Sequence, residues 1–365
     1  MLRRAGMAVI CCAGLLWACR ESIPAAVPLR LNDLQVLGSH NSYKKAIQPA
    51  LFERLLEERG PERIRGLEYG HVSLSEQLDL GLRKLELDVF YDPRGGLYAD
   101  PSGLEPAERS TWDEEGLMAE PGFKVLHVQD IDFRSSCPTL KRCLEKIVAW
   151  SDLHPRHLPI VVSMNTKDSS IEGLSEPLAF DEAAFEALDG ALLETLGRGR
   201  LITPDDVRGD YVTLREAVLA NQWPTIDESR GKLLFVLDEG GAKLERYVAG
   251  HASLAGRVMF ANAPPESPEA GFLIINDPIR DGKRIRSLVV QGFLVRTRAD
   301  ADTVEARSGS TDRLAAALVS GAQFISTDYY LAESLFGTGY RASLGSDSVV
   351  RCNPGRQQPD CGIVE

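Results

Sequence analysis

The chain has 365 residues, of which 44% are hydrophobic and 26% charged, a composition typical of a soluble globular protein and not of a disordered one. Its 41 basic and 53 acidic residues give a formal net charge of −12, which argues against a nucleic-acid surface and against electrostatic anchoring to anionic lipid. Any anionic ligand must therefore be bound by a local cluster of positive charge.

The amino terminus has the pattern of an export signal over residues 1–18, where Arg3 and Arg4 precede an apolar stretch. The stretch is shorter than a membrane span. It ends in Leu-Trp-Ala-Cys at residues 16–19, which resembles the lipobox of bacterial lipoproteins and implies cleavage before Cys19 and acylation of that cysteine. Cleavage without acylation is the alternative. The sequence predicts an exported protein, either a cell-envelope lipoprotein or a secreted one.

Eight apolar runs follow, and most are rich in Val, Leu, Ile and Phe, as expected of strands buried on both faces of a parallel sheet. They cover residues 34–39, 84–90, 123–128, 158–164, 232–237, 257–261, 292–297 and 323–327. Helical patterns lie between them, at residues 51–58, 75–80, 140–151, 181–196, 214–220 and 311–319. This alternation predicts a single-domain α/β protein, a (β/α)8 TIM-type barrel in complete, distorted or incomplete form.

We expect the barrel to occupy residues 30–340, since no Pro/Gly/Ser-rich linker divides them. Residues 91–122 are long and irregular, which predicts a loop over the barrel mouth. The Gly- and Ser-rich tail, residues 341–365, is expected to form a peripheral cap. Outside the signal, Cys19 is the odd cysteine, and the other four form two short-range pairs. In an oxidising compartment these pairs predict two disulfides, Cys137–Cys143 and Cys352–Cys361. The alternative is that the four cysteines are unpaired thiols.

Polar side chains stand at or just past the carboxyl ends of the predicted strands, where barrels of this type have their active sites. The first run ends at His40-Asn41, the second carries Glu86 and Asp88 on one face, and the third ends at His127. If these strands are neighbours, two histidines and two carboxylates converge at one edge of the sheet. Such a set is suited to proton transfer beside a hard cation.

Four segments carry these residues in chain order: Ser39-His40-Asn41-Ser42-Tyr43, Leu85-Glu86-Leu87-Asp88, Leu126-His127, and residues 159–168. Together they resemble the catalytic half of phosphoinositide-specific phospholipase C. A later block is similar to the bacterial calcium-dependent branch of that family, and consists of residues 296–303 and Ser326-Thr327-Asp328-Tyr329-Tyr330. The resemblance extends over residues 33–330.

The resemblance implies a phosphodiesterase that acts on phosphatidylinositol-type lipids. The inositol 2-hydroxyl would attack phosphorus, giving a cyclic phosphate and releasing diacylglycerol. His40 would stabilise the pentacoordinate phosphorus, and His127 would protonate the leaving glycerol oxygen. No serine or cysteine nucleophile is then required.

The resemblance also implies one calcium ion, bound by Asn41, Glu86, Asp88 and a residue of the fourth strand. The family usually has a carboxylate at the last position, whereas this chain has Asn165. An amide still offers a carbonyl oxygen but brings no negative charge, so we expect a weakened calcium site.

Substrate contacts are expected from the basic residues at the later strand ends. Lys167 shares a face with Asn165, and Arg296 shares a face with Arg298, so that these side chains can meet a phosphate or an inositol hydroxyl. Asp328 and Tyr329, near the last strand, are further candidates. For each basic residue a salt bridge to a neighbouring acid is the alternative. The remaining histidines lack such company and are expected to be surface or structural residues: His71, His154, His157 and His251.

Two other functions stay open at this point. Glycerophosphodiester phosphodiesterase barrels also present a histidine, a Glu-x-Asp pair and a second histidine, but their first motif is usually His-Arg-Gly or His-Arg-Ala, whereas this chain has His40-Asn41-Ser42. Asn165 also leaves room for a non-catalytic envelope barrel that binds lipid or glycan. The expected partner is a phospholipid or phosphodiester at a membrane surface, met transiently or through a lipid anchor.

Overall fold

A computed structural model describes residues 28–109, 111–332, 335–345 and 348–356. The predicted signal, Cys19 and Cys361 lie outside these residues. Within the described part, one sheet contains ten strands. These are β1 (Leu34–Ser39), β2 (Lys84–Asp92), β3 (Gly122–Val125), β4 (Ile160–Thr166), β5 (Leu233–Leu237), β6 (Phe260–Ala261), β7 (Phe272–Ile274), β8 (Leu294–Arg298), β9 (Phe324–Thr327) and β10 (Val350–Cys352).

Eight of these strands are parallel and follow one another in the order β6-β5-β4-β2-β1-β9-β8-β7. A single isolated bridge between Asn262 and Phe272 joins the two ends of this order, so that the barrel is nearly closed. The predicted single-domain α/β barrel of the TIM type is confirmed.

Helices lie between the barrel strands, as the alternating pattern requires. They are α1 (Pro49–Arg59), α2 (Pro61–Ile64), α3 (Leu74–Asp79), α4 (Leu140–Leu153), α5 (Glu182–Leu196), α6 (Pro204–Arg208), α7 (Leu214–Leu219), α8 (Ile226–Ser229), α9 (Gly241–Val248), α10 (Pro278–Gln291), α11 (Val304–Ser308) and α12 (Asp312–Ser320). The prediction missed α10, although Asp277 accepts hydrogen bonds from the amides of Ile279 and Arg280, and Pro278 is the first helical residue. An N-cap acid followed by proline is a sequence signal for a helix start.

The predicted third barrel strand, residues 123–128, is wrong. β3 covers only residues 122–125 and pairs antiparallel with the distal part of β2, with Val89 opposite Val125 and Asp92 opposite Gly122. β2 pairs with β1 at Lys84, near its start, so the same edge of β2 is open further along the strand, and β3 pairs there. The missing barrel strand is β7, whose three residues are too short to give a clear pattern.

The core explains how β2 presents its carboxylates. Leu85, Leu87 and Val89 are buried in the hydrophobic core, and Glu86 and Asp88 alternate with them. Glu86 bonds to Arg296 of β8, which is three strands away around the ring, so the contact passes through the barrel interior. The alternation of a strand therefore separates apolar packing outside the ring from polar groups inside it.

The carboxyl-terminal segment and the cysteines complete the fold. β10 pairs antiparallel with β1, with Leu34 opposite Cys352. Cys137 and Cys143 form a disulfide, as the sequence predicts, whereas pairing of Cys352 with Cys361 stays a prediction. Among the described residues, no helix combines the length and apolar character needed to cross a bilayer.

Candidate active site

The position of His40 is fixed by the register of β1 against β9. Ser39 lies opposite Thr327, so the residues that follow, His40 and Asp328, come side by side at the barrel rim. His40 Nδ1 lies 3.1 Å from Asp328 Oδ1. The His40 carbonyl oxygen accepts a hydrogen bond of 2.7 Å from Nε2 of His71. Both the ring and the backbone of His40 are therefore held in place.

Arg298 completes this cluster and sets its charge. Its Nη2 donates to Asp328 Oδ2 at 3.3 Å. Burial opposes ionisation of Asp328, but His40 and Arg298 outweigh it and hold the pKa of this carboxyl well below its usual range. Burial lowers the pKa of His40, and the Arg298 charge lowers it further. The neutral imidazole of His40 is therefore favoured near neutral pH.

His127 reaches the same cleft from another direction. It follows β3, which runs antiparallel to β2 and so returns the chain toward the rim. Its Nδ1 lies 2.7 Å from Asp132 Oδ2, and the other Asp132 oxygen lies 3.2 Å from Lys44 Nζ. Both imidazoles, with Arg298 and Asp328, line one cleft of about 740 Å³. The structure therefore brings the two predicted histidines together.

Glu86 lies deeper, inside the barrel, in contact with two cations. Its Oε2 bonds to Lys84 Nζ and accepts a hydrogen bond of 2.7 Å from Arg296 Nη2. Burial opposes ionisation of Glu86, but Arg296 and Lys84 overcome it and hold the pKa of the carboxyl well below its usual range. Burial lowers the pKa of Lys84 to about 8. Arg296 is thus committed to Glu86 inside the ring, whereas Arg298 lines the open cleft.

The other candidate cation ligands surround Glu86. Asp88 Oδ2 lies 3.1 Å from Lys167 Nζ, while Asp88 Oδ1 is buried and has no hydrogen-bond partner among the residues that the structure describes. Asn165 lies opposite Asp88 in the β2–β4 register, and its Nδ2 donates to Glu86 Oε1 at 3.4 Å. Asn41 adopts a left-handed backbone conformation with a φ of 47°. The Asn41 amide nitrogen donates to the Tyr69 hydroxyl at 2.8 Å, which leaves its carbonyl oxygen as an acceptor.

The family described as phosphoinositide phospholipase C, Ca2+-dependent, matches residues 29–354. The chain belongs to this family. Its members are phosphodiesterases, and the match favours the phosphoinositide branch over glycerophosphodiester phosphodiesterase. Comparison with curated proteins finds no match.

Solved structures of low identity share the fold. A calcium-dependent phosphoinositol-specific phospholipase C from a Pseudomonas species, in its apo form, is 18% identical with a TM-score of 0.52, over 90% of this chain and 97% of that chain. A Ca2+-dependent phosphatidylinositol-specific phospholipase C from Streptomyces antibioticus is 19% identical with a TM-score of 0.53, over 83% of this chain and 95% of that chain.

The calcium dependence of the family can be tested against the donors of this chain. Carboxylate and amide oxygens are the ligands that calcium prefers, and the unpartnered Asp88 Oδ1 offers one of them. Lys84, Arg296 and Lys167 already supply positive charge to the two carboxylates. Across the described ranges, no group of three or more His, Cys, Asp or Glu side chains is placed to hold a metal. The carboxylate and amide oxygens therefore are of the type that calcium prefers. In this structure, however, both carboxylates already form ion pairs with basic side chains.

Sequence reasoning missed several residues of this candidate site. His71, expected to be a surface or structural residue, lies against the cluster: its side chain is 1% exposed and its Nε2 lies 3.6 Å from Asp328 Oδ1. Asp132 and Lys44, which support His127, were missed as well. His71 lies in a loop with no preceding apolar run, so the strand-end rule gives no signal there. Tyr329, a predicted substrate residue, lies on the wall of a neighbouring groove.

Proposed function

We propose that the protein cleaves phosphatidylinositol-type phosphodiesters by acid–base catalysis shared between His40 and His127. Attack of the inositol 2-hydroxyl on phosphorus would give a cyclic inositol phosphate and diacylglycerol. The observation that carries this proposal is the single cleft lined by both imidazoles and Arg298, with each imidazole held by a carboxylate through its Nδ1. Two histidines can divide the proton work of the reaction because an imidazole can either accept or donate a proton.

His40 is suited to act as the base. In the tautomer whose Nδ1–H donates to Asp328, Nε2 is the acceptor of the neutral ring, and the lowered pKa favours a neutral ring. The proton of the 2-hydroxyl then passes to Nε2 as the new P–O bond forms. This role differs from the charge-stabilising role that the family resemblance implies for His40, since a ring that is mostly neutral is a better proton acceptor than a fixed positive charge.

His127 is suited to act as the acid. When doubly protonated, it donates Nδ1–H to Asp132 and presents Nε2–H to the leaving glycerol oxygen as the old P–O bond breaks. Arg298 supplies the guanidinium that binds the non-bridging phosphate oxygens. One proton leaves the 2-hydroxyl and one reaches the glycerol oxygen, so the step is balanced.

A single calcium ion would be held by the oxygens of Asn41, Glu86, Asp88 and Asn165. When bound, it would lower the pKa of a coordinated hydroxyl and offset charge on the phosphate. The donor set of the chain supports this part of the proposal by its chemistry, and it includes Asp88 Oδ1, a buried oxygen without a hydrogen-bond partner within the described structure.

Phosphorus NMR of the purified protein with phosphatidylinositol, with and without a chelator, tests the proposal. We expect a cyclic inositol phosphate signal that the chelator suppresses. His40→Ala and His127→Ala should abolish it, whereas His154→Ala, whose ring stacks on Trp150, should not. Glycerol 3-phosphate from a deacylated lipid would support the glycerophosphodiester alternative instead. Binding of inositol phosphates without turnover under calcium, manganese or magnesium would support the non-catalytic barrel.

We also propose that the protein is exported and anchored to the cell envelope through acylation of Cys19. The support is the sequence of residues 1–19. Metabolic labelling with a radioactive fatty acid should mark the wild-type protein, and Cys19→Ser should remove the label. If wild-type protein without the fatty-acid label accumulates in the culture medium, the protein is secreted without a lipid anchor.

A further inference from the structure

A second concavity, which we call the apolar groove, lies beside the catalytic cleft. It has a volume of about 860 Å³, within the range of pockets that hold drug-sized ligands. Its walls come from the start of α1 and the residues before it, from residues 67–71, and from the segment after β9. The proposed reaction uses the cleft and leaves this groove without a role.

The lining of the groove is mainly hydrophobic. Its side chains include Ile47, Phe52, Leu67, Tyr329 and Leu331. Ile47 is buried and Phe52 is half-buried, whereas Leu331 is 39% exposed and brings the apolar surface out to solvent. Contiguous apolar surface that opens to solvent in this way is a common property of ligand and membrane sites.

The groove and the catalytic cleft meet at one place. Leu67, Tyr69 and Asp328 line both concavities. Asp328 contacts the His40 ring, and the Tyr69 ring centroid lies 6.0 Å from the ring centroid of His40. A molecule whose phosphate lies at His40 can therefore extend one end into the polar cleft and the other into the groove.

We propose that the apolar groove binds the hydrocarbon part of the leaving group, so that a single lipid molecule spans both concavities. This inference rests on the proposed function, because the scissile P–O bond of such a lipid separates a polar headgroup from an apolar glyceride. The cleft contains Arg298 and two histidines, which suit the phosphate and the headgroup. The groove contains aliphatic and aromatic side chains, which suit the hydrocarbon.

Binding of myo-inositol 1-(n-alkylphosphonates) tests the proposal. In these compounds carbon replaces the leaving oxygen, so they cannot be cleaved there, and calorimetry can follow chains from methyl to octyl below their aggregation limits. We expect the dissociation constant to fall at least twofold for each added methylene. The limit for full burial is about fourfold per methylene. A dissociation constant that does not change with chain length would overturn the proposal.

Variants decide whether the groove causes this dependence. Phe52→Ala and Leu331→Ser should flatten the fall in dissociation constant with chain length. Leu153→Ser, at a side chain that is 79% exposed at the end of α4, is the matched control and should keep the wild-type dependence. The assignment of the groove would be overturned if both groove variants kept the wild-type dependence of the dissociation constant on chain length. It would also be overturned if sedimentation showed that the protein is a dimer whose interface covers the groove.

The failure of this proposal is distinguishable from failure of the proposed function. The phosphonate series measures binding and needs no turnover. Cleavage of the methyl phosphodiester of inositol measures the reaction and has almost no hydrocarbon to place in the groove. If the methyl ester is cleaved but the dissociation constant of the phosphonates does not change with chain length, only the groove proposal fails. If phosphonate binding depends on alkyl chain length but the methyl ester is not cleaved, only the proposed reaction fails.

Discussion

Lys167 Nζ lies 3.1 Å from Asp88 Oδ2, and the second oxygen of the same carboxylate is buried without a hydrogen-bond partner in the described part of the chain. The Asp88 carboxylate thus carries an ammonium on one oxygen and has the other available to a cation. Asp88 raises the pKa of Lys167 above its ordinary value against the opposing effect of burial. Lys167 therefore stays charged at neutral pH, and its charge would oppose the binding of a calcium ion at this carboxylate.

Lys167→Met should tighten calcium binding about tenfold, on the order of 1.4 kcal/mol, because it removes a positive charge from Asp88. Calorimetric titration of the metal-free protein with calcium measures this directly. Lys243→Met is the matched control, since Lys243 pairs with Asp168 and Glu239 nearby. Equal calcium affinity in wild type and Lys167→Met would show that Asp88 is not a calcium ligand.

Asn165→Glu should lower the calcium concentration that gives half-maximal activity by about tenfold, because a third carboxylate joins the cation site. Ser169→Glu is the control for charge at a distance, since Ser169 is exposed and lines a small pocket with Asn165. If the calcium dependence of activity is the same in wild type and Asn165→Glu, Asn165 does not bind the ion.

Arg296 and Arg298 should differ sharply when each is replaced by methionine. Arg298→Met removes a cation from the open cleft, so we expect kcat/KM to fall about 100-fold, with a smaller loss of unfolding free energy than in Arg296→Met because His40 and His71 still contact the buried Asp328 carboxylate. Arg296→Met removes a partner of buried Glu86 and should cost about 3 kcal/mol of stability. Urea unfolding and steady-state kinetics on both variants measure the two effects. Equal loss of stability in both variants would contradict this division.

Asp132→Asn should lower kcat about 100-fold with little change in KM, because the carboxylate orients the His127 ring through its Nδ1. The same substitution in the His127→Ala background should have almost no further effect, since the two residues act as a unit. Additive losses in the double variant would mean that Asp132 acts on stability and not through His127.

Asp189 gives a prediction about stability and pH that is independent of the site. Burial raises its pKa to about 6, against hydrogen bonds from Tyr247 and the charge of Arg257. The folded protein therefore binds this proton more tightly than the unfolded chain, and the associated stability is lost as pH rises from about 4 to about 6. Asp189→Asn should remove a decline on the order of 2 kcal/mol across that window. Urea unfolding at pH 4, 5, 6 and 7 measures it, and parallel curves for the two proteins would contradict the assignment.

Local sequence patterns determined the parts of this protein that depend on neighbouring residues. The alternation along β2 predicts that Glu86 and Asp88 share a face, because successive side chains of a strand point to opposite sides. The apolar runs and the helical patterns between them predict a barrel, and the polar residue after each run predicts the rim that carries the site. The pairing of Cys137 with Cys143 also followed from sequence spacing alone.

Only the tertiary structure decided which distant residues meet. His127 reaches the cleft because β3 returns antiparallel on the free edge of β2, and that pairing depends on strand register across the sheet. Arg296 and Arg298 have the same local pattern, yet one bonds to Glu86 inside the ring and the other lines the cleft. His71 comes from a loop, and its contact with Asp328 spans more than 250 residues of sequence. Such contacts arise from the closure of the barrel, and a local sequence pattern carries no information about closure.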